Sequence, residues 1–241
     1  MNGLYSAAAG LLTQHQVLEG VAGNLANQNS PGYLAQQTQV FGLLPQEVMA
    51  RQSSHMVPIG QVISESTVLS TLRLTPGQVR TTGHYTDLAI SGQGFFVVKT
   101  PQGLAYTQNG RFSVNAQGQL VTANGDWVLS SQGQPISVGT APFTVKAAGQ
   151  ILQQGRVVAT LGLTDLANQG VKALGHNLYQ APKILPFTGQ VAQGALNMSN
   201  GQVTSETLTM MQAEQTYQSL TTLVNTESSR LKTAASLSII A

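Results

Sequence analysis

Leucines recur every seventh residue at the start of the chain. The four positions are Leu4, Leu11, Leu18 and Leu25. This spacing places them on one face of a helix, as in helices that pack lengthwise on a partner. Several glycines interrupt the segment, and each weakens a helix by roughly 0.5 to 1 kcal/mol relative to alanine. We therefore predict a helix that depends on a packing partner and that stops near Asn27, ahead of a turn containing Pro31.

The last part of the chain has a second heptad pattern, which predicts a helix beginning near Thr204 or Ser205. Its apolar positions, spaced by seven and by three, are Val203, Met210, Tyr217, Leu220, Val224 and Leu231. Burying a large apolar side chain contributes roughly 1.5 to 3 kcal/mol, so both patterns favour subunit assembly. We predict that the two helices pair in a coiled-coil-like bundle, within one chain or between neighbouring copies. In that bundle the leucine face meets Met210, Tyr217 and Val224.

Between the two helices, short apolar runs alternate with glycine-rich turns. In the stretch from Asp87 to Val98, Gly92 and Gly94 separate two apolar segments, and we interpret the stretch as the first core strand of a β domain. Asn-Gly steps follow, and such steps accept the positive φ angles of tight hairpins. We therefore predict an antiparallel meander. Strands are expected at 60–63, 68–74, 104–107, 111–114, 119–122, 126–129, 143–146, 156–163 and 183–186.

Residues 34–80 are rich in glutamine and serine and have no sustained periodicity, which predicts an extended arm. The fold class is therefore α+β, with an antiparallel β-rich central domain flanked by amino- and carboxyl-terminal α-helices. We predict a discontinuous terminal-helix assembly domain at 1–33 and 197–241. A β-rich outer domain then comprises 34–196 and includes the arm.

Charged side chains are scarce in this sequence. They make up 8% of the 241 residues, and glutamine alone is more frequent than Asp, Glu, Lys and Arg together; the usual charged fraction is about 25%. Little charge has to lose its water when such a surface packs on a copy of itself, which favours lateral assembly. The basic residues are spread singly, whereas nucleic-acid-binding proteins cluster them, so we expect no nucleic-acid partner.

The chain has no cysteine, which excludes disulfides and thiolate metal sites and suits a protein that is exported unfolded. No apolar run reaches the length of a membrane span, so we expect no membrane insertion. The first twelve residues lack the basic start and the unbroken apolar stretch of a secretory signal. We therefore expect no cleaved signal peptide.

The sequence offers few groups for catalysis. Its four histidines are isolated, and the glycine pair of residues 92–94 lacks the third glycine of a nucleotide-binding loop. Three aspartates, Asp87, Asp126 and Asp165, could meet as a carboxylate pair for glycoside hydrolysis, but each also fits a turn or a strand edge. We expect no enzyme activity, no metal, no cofactor and no small-molecule substrate.

Three motifs resemble those of the bacterial flagellar rod and hook axial proteins. The matching residues are Asn24, Leu25, Ala26 and Asn27 with Gly32 and Tyr33; Asp87, Gly92, Gly94, Phe95 and Phe96; and Ser199 and Asn200. They lie near both ends of the chain and at its centre. The chain departs from the family pattern at Ser30-Pro31, Gln108 and Asn197, where a threonine, an arginine and an acidic residue are usual.

This resemblance implies a structural subunit of the flagellar basal-body rod, of the proximal or distal type. Family members polymerise through their terminal helices into a tubular drive shaft that transmits torque from motor to hook, with the β domain outside. The expected partners are the protein itself, other axial proteins and the flagellar export apparatus, and the expected location is the basal body in the cell envelope. The alternative is a secreted β-rich binding module, or a phage tail-tube-like protein, with oligomerising end helices.

Overall fold

The chain folds into two compact units in the computed structural model, which describes residues 2–41, 46–52, 55–62 and 67–240. The helical unit comprises Met1–Leu25, Gln36–Thr71 and Val203–Ala241. The β unit comprises Ala26–Ala35 and Leu72–Gln202. We predict from the sequence that the arm belongs to the outer β domain, whereas residues 36–71 group with the two helices.

Both predicted helices are present, one in each terminal segment. Helix α1 spans Asn2–Ala26 and helix α2 spans Val203–Ile240. After α1 the chain turns, because Ser30 donates through its backbone N–H to the carbonyl of Asn27 at 3.0 Å and through its hydroxyl to the side-chain oxygen of Asn27 at 3.1 Å. Pro31 follows and cannot continue a helix. The turn chemistry thus ends α1 where the sequence predicts.

The arm consists of paired strands. Strands β1 to β4 span Gln36–Phe41, Gln46–Gln52, His55–Val62 and Thr67–Leu72. β2 and β3 form an antiparallel hairpin, and β1 pairs with β4. The predicted strand at 60–63 corresponds to the end of β3, with position 63 outside the described residues, and the predicted strand at 68–74 corresponds to β4. The arm therefore contains more strand than its composition suggests.

Short strands fill the β unit. Strands β5 to β11 span Val79–Thr81, Leu88–Ser91, Phe95–Thr100, Gly103–Thr107, Phe112–Val114, Leu120–Thr122 and Trp127–Val128. Strands β12 to β20 span Thr144–Val145, Gln150–Gln153, Arg156–Thr160, Leu163–Leu166, Lys172–Gly175, Leu178–Gln180, Ile184–Leu185, Gln190–Gln193 and Ala195–Asn197. Their pairings are antiparallel, as predicted.

The largest sheet has the order β16-β17-β8-β7-β11-β10-β9, and β15 pairs with both β7 and β18. Smaller sheets are β12-β13-β14, β19-β6 and β20-β5. β9, β10 and β11 follow one another as a meander, but β11 then pairs with β7, and β8 pairs with β17 rather than with β9. The prediction of one continuous meander is wrong in this respect, because pairings between distant strands place β7 at the centre.

The predicted first core strand is in fact two strands in two sheets. β6 pairs with β19, whereas β7 lies in the large sheet. Between them, Gly92 and Gly94 have φ angles of 95° and 154°, and residues other than glycine rarely adopt such angles. A Cβ on Gly94 would also collide with the ring of Phe187. The strand therefore breaks at the glycines, and the prediction of one strand is wrong.

Phe95 and Phe96 point to opposite faces of β7, so each belongs to a different core. Phe96 is fully buried in the main core and meets Phe112 edge to face, with ring centroids 5.1 Å apart. Phe95 packs with Leu34 and Tyr179 in a second core. Since Leu34 lies in the connection that follows α1, this second core attaches the amino-terminal connection to the β unit.

Two negative findings concern the part of the chain that the structure describes. No helix there is both long and apolar enough to cross a membrane. No three His, Cys, Asp or Glu side chains there gather into a group that could hold a metal ion.

Candidate assembly surface

In the helical unit, a small apolar cluster joins the two helices. Val17 and Val21 of α1 and Ala213 of α2 are buried, and Leu18 and Met210 pack against them. Nearer the chain start, a Cβ on Gly10 would lie 3.1 Å from Cδ1 of Leu220. The absence of a side chain at residue 10 therefore lets the leucine approach the α1 backbone closely.

The structure brings together only part of the predicted assembly set. Leu18, Met210 and Leu220 lie in the contacts just described. Three others are half-buried, namely Leu11, Leu25 and Val224. Tyr217 is 37% exposed, and the side chains of Leu4 and Leu231 lie outside the described residues.

The leucine heptad missed Val17 and Val21, which are the most buried α1 residues in the cluster. A signal was present, because two valines four residues apart lie on one helix face. The heptad pattern predicts Leu18 instead, which follows Val17 in the sequence.

Large apolar side chains also lie on the outside of both helices. Leu12 of α1 is 71% exposed, and on α2 Leu208, Met211 and Leu223 are 56%, 54% and 54% exposed. At 3.6 residues per turn, Leu208 and Met211 lie about 140° to 160° around the helix from Ala213, which faces α1. α2 therefore has a second apolar side besides the one that packs on α1.

The polar surface of α2 is rich in hydroxyl groups that bond to their own helix. Thr216, Thr221 and Ser219 each donate to the carbonyl four residues earlier, at 2.9 Å. Other α2 hydroxyls do the same, for example Thr207 and Thr226. These donors keep a partner when water is removed, so burying this helix against another protein leaves few polar groups unsatisfied.

Asn24, the first residue of the amino-terminal motif, joins α1 to strand β1 and to α2. Its side-chain oxygen accepts the N–H of Gln36 at 2.8 Å, and its amide donates to the carbonyl of Gln36 at 2.8 Å. The amide also donates to Oε2 of Glu206 at 3.0 Å. Asn24 is 1% exposed. A side chain that both donates and accepts is required here, which an aspartate cannot supply when ionised.

In the β unit, Gly32 lies where four parts of the chain converge. Its φ is +69°, and a Cβ there would collide with the backbone of Asn109. Its N–H donates to the carbonyl of Asn197 at 2.8 Å, and the carbonyl of the preceding Pro31 accepts the side-chain amide of Asn177 at 2.8 Å. The glycine of this motif is therefore required by both conformation and space.

Asn200, from the carboxyl-terminal motif, forms hydrogen bonds with two other segments of the β unit. Its side-chain oxygen accepts the N–H of Ala35 at 2.6 Å, and its amide donates to the carbonyls of Arg73 and Thr75, both at 2.6 Å. Its backbone N–H donates to the carbonyl of Tyr33 at 3.3 Å. The neighbouring Ser199 accepts the N–H of Gly201 through its hydroxyl at 3.2 Å. Motif residues from opposite ends of the sequence thus meet in one network.

The hydroxyl of Tyr179 belongs to the same region. It accepts the N–H of Leu34 at 2.8 Å and donates to the carbonyl of Gly32 at 3.4 Å. The side chain is 2% exposed, and this burial raises the pKa of Tyr179 well above its ordinary value, because the charged form would lose its water.

The three aspartates considered for catalysis each have a local structural partner. Oδ2 of Asp87 accepts the hydroxyl of Thr82 at 2.7 Å, and Oδ2 of Asp126 accepts the hydroxyl of Thr122 at 3.1 Å. Asp165 accepts the backbone N–H of Leu166 at 2.8 Å. These are the bonds of turn and strand-edge residues, and they account for the aspartates without catalysis.

Known proteins with similar sequences cover nearly the whole chain. The family model of the flagellar hook protein FlgE/F/G D1 domain matches residues 89–159. The flagellar basal-body rod protein FlgF of Caulobacter vibrioides is 31% identical over 93% of this chain and 92% of its own length. The flagellar basal-body rod protein FlgG of Agrobacterium fabrum is 30% identical over 94% and 95%, and that of Bacillus subtilis is 28% identical over 98% and 99%.

The fold combines a β-rich unit with two long terminal helices, and the exposed apolar side chains of these helices are typical of a surface that contacts another protein. The chain belongs to the family of flagellar basal-body rod proteins. That family is a structural one, and in this chain Asn24, Gly32 and Asn200 of the three motifs bond to the backbone of other segments.

Proposed function

We propose that this chain is a subunit of the flagellar basal-body rod and that it polymerises through its terminal helices into a tubular shaft. The shaft transmits torque from the motor to the hook. The observation that carries the polymerisation step is the second apolar side of α2, formed by Leu208 and Met211, both more than half exposed in the single chain. Exposed apolar side chains that lie together on one side of a helix favour a protein partner.

Within one chain, the inner side of α2 packs on α1 through Ala213 and Met210. The outer side then remains for a neighbouring copy, and Leu12 adds an apolar contact from α1. Each buried side chain of this kind contributes roughly 1.5 to 3 kcal/mol. In a polymer the same contact recurs at every subunit, so modest pairwise energies accumulate.

In this proposal the terminal segments 1–33 and 197–241 act as the assembly domain, and residues 34–196 form the outer layer. The partners are copies of the chain and other axial proteins. The chain reaches the basal body through the flagellar export apparatus without a cleaved signal peptide, a route that the absence of cysteine suits. It acts without a cofactor, a small-molecule substrate or nucleic acid, and it is not an enzyme.

The proposal is tested by placing a charge on the outer side of α2. Leu208→Glu leaves the single chain folded, because the side chain is already exposed, but it places an unpaired charge in each subunit contact. Burying an unpaired charge costs several kcal/mol, so cells carrying the variant should be non-motile and should lack rods in electron micrographs. Circular dichroism and thermal unfolding of the purified protein should be unchanged.

Two controls separate charge at the contact from general damage. Leu208→Met keeps the position apolar and should support normal motility. Thr216→Glu introduces the same charge at an exposed position about 80° around the same helix from Leu208 and about 140° from Met211, and it should also support normal motility. Normal rods built from the Leu208→Glu variant would overturn the proposal.

A further inference from the structure

A shallow apolar groove of about 630 Å³ lies on the β unit. Its walls include Val97, Leu104, Leu129, Ile184, Leu185 and Phe187. Leu104 and Ile184 are 55% and 56% exposed, and no charged side chain lines the groove. An exposed, uncharged apolar surface of this kind marks a contact with another protein.

The same unit carries an apolar ridge, strand β14. Its consecutive residues Val157 and Val158 are 54% and 46% exposed. Since neighbouring residues of a strand point to opposite faces, both faces of β14 are exposed. Among the described residues no strand other than β13 pairs with β14, and on its other edge the carbonyl of Thr160 accepts the N–H of Ser131 at 2.9 Å. The open part of this edge is therefore the end that carries Val157 and Val158. An open apolar edge strand is a site for contact with a second chain.

The ridge begins with a cation, and the border of the groove has both a carboxylate and a cation. Arg156, the first residue of β14, is exposed. Asp165 of β15 pairs in register with Leu185 of β18, a wall of the groove. Lys183, which precedes the groove wall Ile184, is exposed as well. The favoured orientation of docking therefore brings Arg156 towards Asp165 and away from Lys183.

Asp165 is also the only half-buried carboxylate of the β unit, all of whose residues the structure describes. The other two, Asp87 and Asp126, are buried at 5% and 9% exposure. The exposed charges of this unit are all cationic: Arg80, Lys99, Arg111, Lys146, Arg156, Lys172 and Lys183. Asp165 is therefore the carboxylate of this unit that is most accessible to a cation of a second copy. Arg156 is the one of these cations that begins the apolar ridge, so docking of the ridge in the groove pairs Arg156, rather than another cation, with Asp165.

We propose that the β14 ridge of one copy docks in the groove of a second copy, with Arg156 beside the partner's Asp165. The ridge and the groove are different surfaces, so the contact is heterologous and leaves one ridge and one groove free to continue the assembly. The inference rests on the proposed function, since it requires that the chain polymerises. It adds a contact between β units to the contact between helices.

Because the chain has no cysteine, single cysteines report this contact without background. One tagged copy carries Val158→Cys, a second copy with a different tag carries Ile184→Cys, and the two are expressed together in cells that build rods from them. Basal bodies are isolated, oxidised and separated without reductant. The control replaces Ile184→Cys by Leu174→Cys, an apolar residue 43% exposed on β16 of the same unit.

The expected result is a cross-linked dimer carrying both tags from the Val158–Ile184 pair, at least tenfold more abundant than from the Val158–Leu174 pair. Rods in micrographs of the same samples establish that polymerisation occurred. If such rods give no dimer, or give equal amounts from both pairs, this inference is wrong while the proposed function stands. The terminal-helix proposal has a separate test: normal rods built by the Leu208→Glu variant would contradict it.

Discussion

Asn197 pairs with Ile90 as a β-strand residue pairs with its neighbour, but through its side chain. The side-chain oxygen accepts the N–H of Ile90 at 2.7 Å, and the side-chain amide donates to the carbonyl of Ile90 at 2.8 Å. Asn197 is fully buried. Asn24 makes the same two-bond contact with Gln36 in the helical unit. In each unit, then, an asparagine side chain makes the pair of hydrogen bonds that a neighbouring strand would make.

Asn197→Asp should destabilise the β unit by about 3 kcal/mol or more at neutral pH. The carboxylate cannot donate to the carbonyl of Ile90 and is itself buried without a counter-ion. Denaturant unfolding at pH 7 measures the effect, and Asn168→Asp, at an exposed position, is the control and should change stability little.

The pH dependence of the stability of the Asn197→Asp variant identifies the cause of its destabilisation. A protonated carboxyl can again donate and accept, so the deficit relative to the original protein should shrink as the pH falls towards about 4, the ordinary range of an aspartate. A deficit that is independent of pH would show that packing, not the missing donor, destabilises the variant.

Gly32→Ala should destabilise the β unit more than the same substitution does at Gly133, a glycine with a similar φ angle. Gly32 and Gly133 have φ angles of +69° and +76°, but a Cβ meets backbone only at residue 32, whereas nothing lies within 4 Å of one at residue 133. The left-handed conformation alone costs roughly 1 to 2 kcal/mol, which is the loss expected for Gly133→Ala. If thermal unfolding shows the same loss of stability in both variants, the close contact between residue 32 and Asn109 is contradicted.

Tyr179→Phe should destabilise the protein by about 1 to 3 kcal/mol, since it leaves the N–H of Leu34 buried without its acceptor. The pH dependence follows from the raised pKa of Tyr179. In the unfolded chain a tyrosine loses its proton near pH 10, whereas the folded protein retains it. The contribution of the neutral hydroxyl is therefore fully present below pH 10 and declines as the pH rises above that value.

Unfolding free energies measured from pH 8 to pH 11 test this dependence. The original protein should lose more stability above pH 10 than Tyr179→Phe does. Tyr85→Phe, at a residue 48% exposed, should keep the slope of the original protein. Parallel slopes for all three proteins would show that Tyr179 is not protected from ionisation.

The two helices could be predicted from the sequence because their signals are local. Repeated apolar spacing and a turn at Pro31 determine α1 within one residue of its observed end. The buried face of α1 was harder to predict from the sequence. The leucine heptad predicts Leu18, but the packing of α1 on α2 centres on Val17 and Val21. A heptad describes one helix alone, whereas burial depends on the partner surface.

The contacts among the motif residues could not be predicted, because they join residues that are distant in sequence. Asn197 lies 107 positions from Ile90, and Asn200 lies 165 from Ala35. Tyr179 stands in a polar stretch with no pattern that marks it, yet it is buried beneath the turn after α1. The pairing of β8 with β17 likewise follows from the closure of the whole sheet rather than from any local turn.

The central claim is that the terminal helices build the rod. Electron cryomicroscopy of rods isolated from cells that express this chain measures directly where α1 and α2 lie. The account predicts both helices lining the central channel, with Leu208 and Met211 against a neighbouring copy and the β units outside. A map in which the helices lie on the outer surface, or in which the outer side of α2 touches no other copy, would contradict it.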